Sequence, residues 1–143
     1  MITNRKASFE YHFLQTYTAG IMLTGTEVKS LREGKGNISD AYCVFMNDEL
    51  WIKNMHISEF RQGSYNNHEP KRLRKLLLKK TEMKKILSKV REKGIAIVPV
   101  KVFFSERGFA KIDITLARGK KQFDKREDLK KKDAKREMAR VIK

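Results

Sequence analysis

Residues 19–42 read AGIMLTGTEVKSLREGKGNISDAY. The apolar letters at 21–23 predict a strand, and the polar letters after them predict a short helix with Thr26 as its N-cap. Glu27 would lie in the first turn, where the helix dipole favours an acid. Gly34 predicts the helix end, since glycine readily adopts the left-handed conformation found there. The stretch therefore predicts a compact strand–helix–strand unit. Three basic side chains are expected on its surface: Lys29, Arg32 and Lys35.

The length and composition indicate one domain of 143 residues. No apolar run of about 18 residues occurs, so no membrane span is expected. Cys43 is the only cysteine, which excludes an internal disulfide and suits a reducing, cytoplasmic location. Because it lies among apolar residues of a predicted strand, we expect a buried and unreactive thiol.

Positive charge is concentrated in two segments. The chain holds 33 Lys and Arg against 17 Asp and Glu, a net charge of +16. All of this excess lies in residues 71–94 and 118–143, and the remainder is neutral. Segregated basic surfaces indicate a polyanionic partner, most simply nucleic acid, although a solvated charged face is the alternative.

Strands are predicted from alternating or continuous apolar residues. Pro99 indicates an edge or a bulge in one of them, and the last strand should direct Ile112, Ile114 and Leu116 inward. The predicted strands are 9–17 and 19–23, paired as a hairpin, then 38–46, 50–57, 95–104 and 109–116.

Two further helices are predicted from leucine spacing and from capping residues. Residues 71–79 place Leu73, Leu76 and Leu77 on one side of a helix that follows Pro70. Thr81 then predicts the N-cap of an amphipathic helix that ends at Gly94.

These elements predict a mainly β fold with helices: a small antiparallel barrel of about six strands, similar to an oligonucleotide-binding (OB) fold, with about three helices. Residues 1–117 would form this barrel. Residues 118–143 hold too few large apolar side chains to offset the cost of ordering the backbone. We expect a basic tail that is disordered when free and helical on a partner.

No motif indicates an enzyme, a metal site or a cofactor. The histidines lie far apart in sequence and lack metal-ligand neighbours, and Cys43 has no obvious base. The glycines at 34 and 36 are too closely spaced for a phosphate-binding loop. A binding protein is therefore predicted.

Five stretches carry a resemblance to a known family: NRKASFEY at 4–11, residues 19–42, GSYNNHEPKRLRKLLL at 63–78, GFAKI at 108–112 and GKKQFDKR at 119–126. In order and spacing they resemble small protein B (SmpB), the SsrA-binding protein family. The resemblance implies an OB-like barrel with flanking helices and a tail unstructured in solution. It also implies a monomeric adaptor of trans-translation. The alternative function is that of a generic basic RNA-binding or ribosome-associated protein.

The resemblance further implies the partners. Members bind the tRNA-like domain of transfer-messenger RNA (tmRNA, SsrA RNA) and deliver it to stalled ribosomes that lack a stop codon. Their tail probes the empty messenger channel and the decoding centre of the small subunit.

Two sites follow from the resemblance. The RNA face would comprise Asn4, Arg5, Lys6, Glu27, Lys29, Ser30, Arg74, Lys75, Leu77 and Lys111, with packing as the alternative role of Leu77. The ribosome-binding tail would comprise Gly119, Lys120, Lys121, Phe123, Asp124, Lys125 and Arg126.

Two residues depart from the pattern of some members. Thr18 replaces an acid, so a carboxylate contact with RNA is expected to be absent there. Phe123 replaces a histidine; its ring can stack on a base but cannot donate a hydrogen bond.

Overall fold

The computed structural model describes residues 1–61 and 67–120. The elements in chain order are β1 (Ile2–Thr3), α1 (Arg5–Glu10), β2 (Tyr11–Ile21), α2 (Gly25–Arg32), β3 (Gly36–Asn37), β4 (Tyr42–Met46), β5 (Glu49–Lys53), β6 (His56–Ile57), β7 (Arg74–Leu77), α3 (Lys80–Val90), β8 (Ile95–Phe104) and β9 (Ala110–Gly119).

Six strands close into a ring. Its order is β8, β4, β5, β7, β2 and β9, and β9 pairs again with β8. All of these pairings are antiparallel, and β1 extends the sheet along part of β8. The predicted small antiparallel barrel with three helices is confirmed. Closure pairs the strand edges that would otherwise be open to aggregation.

Side chains alternate inward and outward along each strand, and most of the inward positions of the barrel hold apolar residues. Ile112, Ile114 and Leu116 are buried, as predicted, and each stabilises the fold by roughly 1.5–3 kcal/mol. Cys43 is buried and free, and burial raises the pKa of its thiol. The expected burial of this thiol is thus confirmed.

The N-terminal third differs from the prediction of two strands joined in a hairpin. Asn4 accepts a hydrogen bond from the Ala7 N–H at 3.1 Å and caps α1. Phe9 therefore lies on a helix, with 79% of its surface exposed. After α1, strand β2 pairs with β9 from Tyr11 to Gly20, with a bulge between Phe13 and Gln15. The continuous pairing with β9 replaces the predicted hairpin.

Residues 71–79 form no helix. They contain β7, which hydrogen-bonds to both β5 and β2. Leu76 points inward and Leu77 outward. The leucine spacing is compatible with either structure, and the two neighbouring strands select the strand. Helix α3 begins at Lys80 with Lys79 as its N-cap, two positions before the predicted N-cap Thr81.

Helix α2 begins earlier than predicted because its N-cap is Thr24, not Thr26. The Thr24 hydroxyl accepts from the Glu27 N–H, and the Glu27 carboxylate accepts from the Thr24 N–H at 2.8 Å. These reciprocal bonds form a capping box. After the helix, Gly34 has a φ of +76°, the left-handed conformation predicted for it.

Several of the other strands are shorter or longer than predicted. β4 starts at Tyr42, and the predicted strand 50–57 is divided into β5 and β6. The predicted bulge at Pro99 is confirmed by a register shift between Pro99 and Lys101. β9 continues to Gly119, two residues past the predicted end of the barrel. Across residues 1–61 and 67–120, no helix is long and apolar enough to span a membrane.

Candidate nucleic-acid interface

The outer surface of β2, β7 and β9 brings together residues from three separate parts of the sequence. Gly20 on β2 lies opposite Leu77 on one side and Lys111 on the other. Because Gly20 has no side chain, its neighbours flank a shallow trough; a Cβ there would lie 3.4 Å from the Leu77 Cβ. We call this surface the β2–β7–β9 face. It comprises Thr18, Gly20, Lys75, Leu77, Lys111 and Asp113.

Three of the predicted RNA-face residues lie here: Lys75, Leu77 and Lys111. Leu77 points outward with 49% of its surface exposed, so contact with RNA and packing both stay predictions for this residue. The Lys75 ammonium lies 2.8 Å from the Glu49 carboxylate, which holds the lysine along the edge of the face. The face thus combines an exposed apolar side chain with cations, the mixture that suits unstacked bases and phosphates.

A carboxylate stands beside Thr18, although its sequence position predicts none. Thr18 donates a hydrogen bond from its hydroxyl to Asp113 Oδ1 at 2.6 Å. Asp113 Oδ2 lies 3.6 Å from the Lys101 ammonium. Two partners therefore fix this carboxylate on the β2–β7–β9 face, whereas the expected absence of a carboxylate contact with RNA at Thr18 stays a prediction.

Beneath the face, a buried ion pair joins α2 to β7. Glu27 and Arg74 are both fully buried, and Arg74 Nε donates to Glu27 Oε2. Arg74 also donates to the carbonyl oxygens of Met55 at 2.6 Å and Pro70 at 3.1 Å. Arg72 donates to Glu27 Oε1 at 2.7 Å. The Glu27 side chain thus ties the start of the helix to the barrel wall.

This network determines the charge state of Glu27. Burial alone would raise the pKa of its carboxyl group. Hydrogen bonds from Arg72 and the Thr24 N–H, with the charge of Arg74, outweigh burial and lower the pKa. The carboxylate therefore stays ionised inside the protein.

The predicted surface positions of four residues are wrong. Asn4, Glu27, Ser30 and Arg74 are buried. The Asn4 amide donates to the carbonyl oxygens of Ile38 and Pro99, at 3.1 and 2.9 Å. The Ser30 hydroxyl finds no hydrogen-bond partner among the described residues. In this conformation such side chains support the surface rather than form it.

A buried histidine fixes the chain before β7 to helix α2. His68 Nε2 lies 2.9 Å from the Ile57 carbonyl oxygen, and its Nδ1 lies 2.9 Å from the Thr26 hydroxyl. Since a carbonyl oxygen only accepts, Nε2 carries a proton and donates a hydrogen bond to the Ile57 carbonyl oxygen. Sequence reasoning missed this role because 42 residues separate the partners.

The remaining predicted RNA-face residues lie away from the β2–β7–β9 face. Arg5 and Lys6 are exposed on α1. Lys6 lies 3.0 Å from the Asp40 carboxylate, and this hydrogen bond raises the pKa of the lysine. Lys29 is exposed on α2, with its ammonium 5.5 Å from the centre of the Phe60 ring. The ten predicted residues therefore occupy separate surface patches and part of the interior.

The described part of the tail begins against α1. Gly119 ends β9 opposite Tyr11, and the Lys120 ammonium donates to the Ser8 carbonyl oxygen at 3.0 Å. Lys121, Phe123, Asp124, Lys125 and Arg126 lie outside the described residues. Within the described ranges, no group of three His, Cys, Asp or Glu side chains is arranged to hold a metal ion.

Comparison with known proteins identifies relatives along the whole chain. The family model described as SmpB protein matches residues 1–143. The SsrA-binding protein of Phocaeicola vulgatus is 56% identical over 99% of this chain and 95% of its own length. The SsrA-binding protein of Cytophaga hutchinsonii is 56% identical over 98% of this chain and 92% of its own length.

A solved structure shares the fold. One of its chains, from the work described as "tmRNA-SmpB: a journey to the center of the bacterial ribosome", superposes with a TM-score of 0.71. It is 49% identical and covers 83% of each chain. Together with the match of the family model along the full sequence, this similarity shows that the chain belongs to the SmpB protein family.

Proposed function

We propose that this protein is the RNA-binding adaptor of trans-translation. It binds the tRNA-like domain of tmRNA and delivers it to ribosomes stalled without a stop codon. The observation that carries the proposal is the similarity, over almost the full length, to proteins named SsrA-binding protein. The structural similarity to a chain from a tmRNA–SmpB study supports it independently.

The charge of the chain supports a partner made of RNA. The net charge is +16, and each phosphate that a lysine or arginine neutralises releases counterions. Lys75, Leu77 and Lys111 form the part of the surface best suited to bases and backbone. Arg5, Lys6 and Lys29 provide additional contacts on α1 and α2.

The four buried residues act by holding this surface in shape. The Glu27–Arg74 ion pair fixes α2 against β7, the strand that also carries Lys75 and Leu77. Asn4 fixes α1, which carries Arg5 and Lys6. A rigid surface loses less conformational freedom on binding, so it recognises a folded RNA with less cost.

The second half of the proposal assigns the tail to the ribosome. Residues 118–143 carry a basic excess, and we assign Gly119 to Lys121 and Phe123 to Arg126 to the messenger channel beside the decoding centre. A segment that folds only on its partner pays its ordering cost there. It thereby distinguishes an empty channel from an occupied one.

The adaptor makes or breaks no covalent bond in this proposal, and it works as a monomer in the cytoplasm, where ribosomes are. The alternative is a generic basic RNA-binding protein. It would bind structured and unstructured RNA alike, because phosphate contacts alone carry no information about shape.

Affinity at fixed salt separates the two. The adaptor should prefer the tRNA-like domain to an unstructured RNA of equal length, and Lys111→Gln should reduce that preference. Lys93→Gln is the matched control, since Lys93 is an exposed lysine outside the β2–β7–β9 face. Equal affinity of the wild type for both RNAs would overturn the proposal.

A second variant tests the division of labour. Replacing Asp124, Lys125 and Arg126 together by alanine should leave binding to the tRNA-like domain unchanged and abolish tagging of stalled chains on ribosomes. A loss of RNA binding in this variant would refute the assignment of the tail to the ribosome.

A further inference from the structure

The hairpin between β8 and β9 ends in an exposed aromatic ring. Phe109 has 65% of its surface exposed. Its backbone is nevertheless fixed: Ser105 N–H donates to the Phe109 carbonyl oxygen at 2.8 Å, and the Phe109 N–H donates to the Ser105 hydroxyl at 3.2 Å. Gly108 closes the turn with a φ of +85°, as in three-residue hairpin loops. A large apolar side chain is therefore held outward on a defined turn.

Helix α2 holds this hairpin from the side. The Arg32 guanidinium lies 4.6 Å from the centre of the Phe104 ring, and its Nη2 donates to the Gly108 carbonyl oxygen at 3.4 Å. Helix α2 is itself tied to β7 through Glu27. The turn is therefore held by its own two strands and, from the side, by α2. A ring on such a support needs little ordering before it binds a partner.

Phe109 lies at the turn that leads into β9, the strand that carries Lys111 and Asp113 of the β2–β7–β9 face. Side chains alternate along β9, with Ile112 and Ile114 inward, so Lys111 and Asp113 share the outward side. Phe109 directly precedes this strand and is exposed at the turn. Lys111 is the nearest of these to Phe109 in sequence and lies in the trough beside Gly20. The exposed ring therefore lies two residues before a lysine that flanks the trough.

The charges around the ring favour an anionic partner. Arg32 and Arg107 are exposed near the turn, and Lys111 follows it along the strand. Glu106 is the acid of the turn, while Asp113 is already held by Thr18 and Lys101. A flat apolar ring beside several cations matches the chemistry of an unstacked base and its adjoining phosphates.

We propose that Phe109 is a base-stacking residue at the end of the RNA interface, where it receives an unpaired base of the bound RNA. Arg32 serves as its positioning residue by fixing Gly108, and Lys111 neutralises a neighbouring phosphate. This inference rests on the proposed function and adds to it a residue that the predicted RNA face lacks.

Affinity provides the first test. Phe109→Ala should weaken binding of the tRNA-like domain by roughly 5- to 150-fold at fixed salt, the range of one base–aromatic stack. Phe109→Trp should retain affinity. Leu14→Ala is the control, because Leu14 has 52% of its surface exposed on β2 and lies outside the face. Because the Phe109 ring is exposed, its removal should leave the thermal midpoint unchanged.

Fluorescence provides the second test. Trp51 is the only tryptophan, so Phe109→Trp in a Trp51→Phe background carries one reporter at the turn. A stacked base should quench its emission as RNA is added. Leu14→Trp in the same background should show no quenching. The affinity arm needs no change at Trp51, so it stands even if that background folds poorly.

The outcomes separate this inference from the proposed function. If the wild type prefers the tRNA-like domain, yet Phe109→Ala binds as tightly and Phe109→Trp is not quenched, stacking is overturned and the adaptor role stands. If the wild type shows no preference, the adaptor role is overturned. The quenching experiment with whichever RNA binds then still decides whether Phe109 stacks on a base.

Discussion

Exchanging Glu27 for glutamine tests the buried ion pair that supports the interface. The change is nearly isosteric and keeps an oxygen that can accept from the Thr24 N–H, since glutamine also serves in a capping box. It removes the negative charge and turns an amide N–H₂ toward one of the arginine donors. The main loss is therefore the pairing with Arg74 and Arg72.

The magnitude follows from burial. Arg74 is fully buried, so its charge would lose its ion-pair partner Glu27 without gaining access to water. Removing one partner of a buried pair costs about 3–5 kcal/mol, a large part of the roughly 5–15 kcal/mol that stabilises a typical domain. With a urea slope of about 2 kcal/mol per molar, the unfolding midpoint should fall by about 2 M.

Urea unfolding of the full chain, followed by circular dichroism, measures this shift. Glu33→Gln is the matched control: Glu33 pairs with Lys35 at 3.2 Å just after the same helix, and both side chains are 45% exposed. Such exposed pairs are worth about 0–1 kcal/mol. If Glu27→Gln lowers the midpoint no further than Glu33→Gln does, the buried pair does not hold α2 to the barrel.

Two further predictions concern stability. Folding lowers the pKa of Glu27, so the stability that Glu27 contributes should be complete above its ordinary pKa of 4.5 and be lost as pH falls through the lowered pKa. Urea midpoints measured across pH 2–6 should fall in this way. A fall just as steep in Glu27→Gln would assign the pH dependence to other groups. At Gly36, a Cβ would lie 2.7 Å from Leu31 Cδ2 and 2.8 Å from Ile2 Cδ1, so Gly36→Ala should destabilise the protein by about 1–3 kcal/mol. Gly25→Ala, where a Cβ meets nothing within 4 Å, is the control, and equal urea midpoints for the two variants would contradict the close packing at Gly36.

Local sequence patterns predicted the elements whose neighbours in space are also neighbours in sequence. The β8–β9 hairpin is the clearest case. Ile112, Ile114 and Leu116 alternate with polar residues, and Gly108 permits the turn between the strands. The inward face then follows from the two-residue period, whereas the register also includes a shift between Pro99 and Lys101.

Residues 71–79 show where local patterns fail. Leu73, Leu76 and Leu77 have spacings of three and four, which predict a helix. The same letters also place Leu76 and Arg74 on one side of a strand. Only the distant partners β5 and β2 decide between them, because each supplies hydrogen bonds that a helix at this position would forgo.

The buried ion pair between Glu27 and Arg74 is the second feature that local sequence patterns do not predict. The resemblance places Glu27 and Arg74 on the RNA face, and charged residues are almost always exposed unless they are paired. Their pairing spans 47 positions, and no local pattern reports it. One signal was available: Thr24 three positions before Glu27 is the capping-box spacing, which directs the glutamate back to its own helix. The resemblance implies that these residues contact RNA, whereas the structure buries both of them.

The RNA that accompanies the protein in its native cell tests the central claim most directly. The full chain would be isolated after crosslinking, and the bound RNA would be sequenced and compared with the RNA bound by a variant that carries Lys75→Gln and Lys111→Gln. The account predicts that tmRNA dominates with the wild type and is strongly depleted with the variant. A mixture of RNAs in proportion to their abundance, unchanged in the variant, would contradict it.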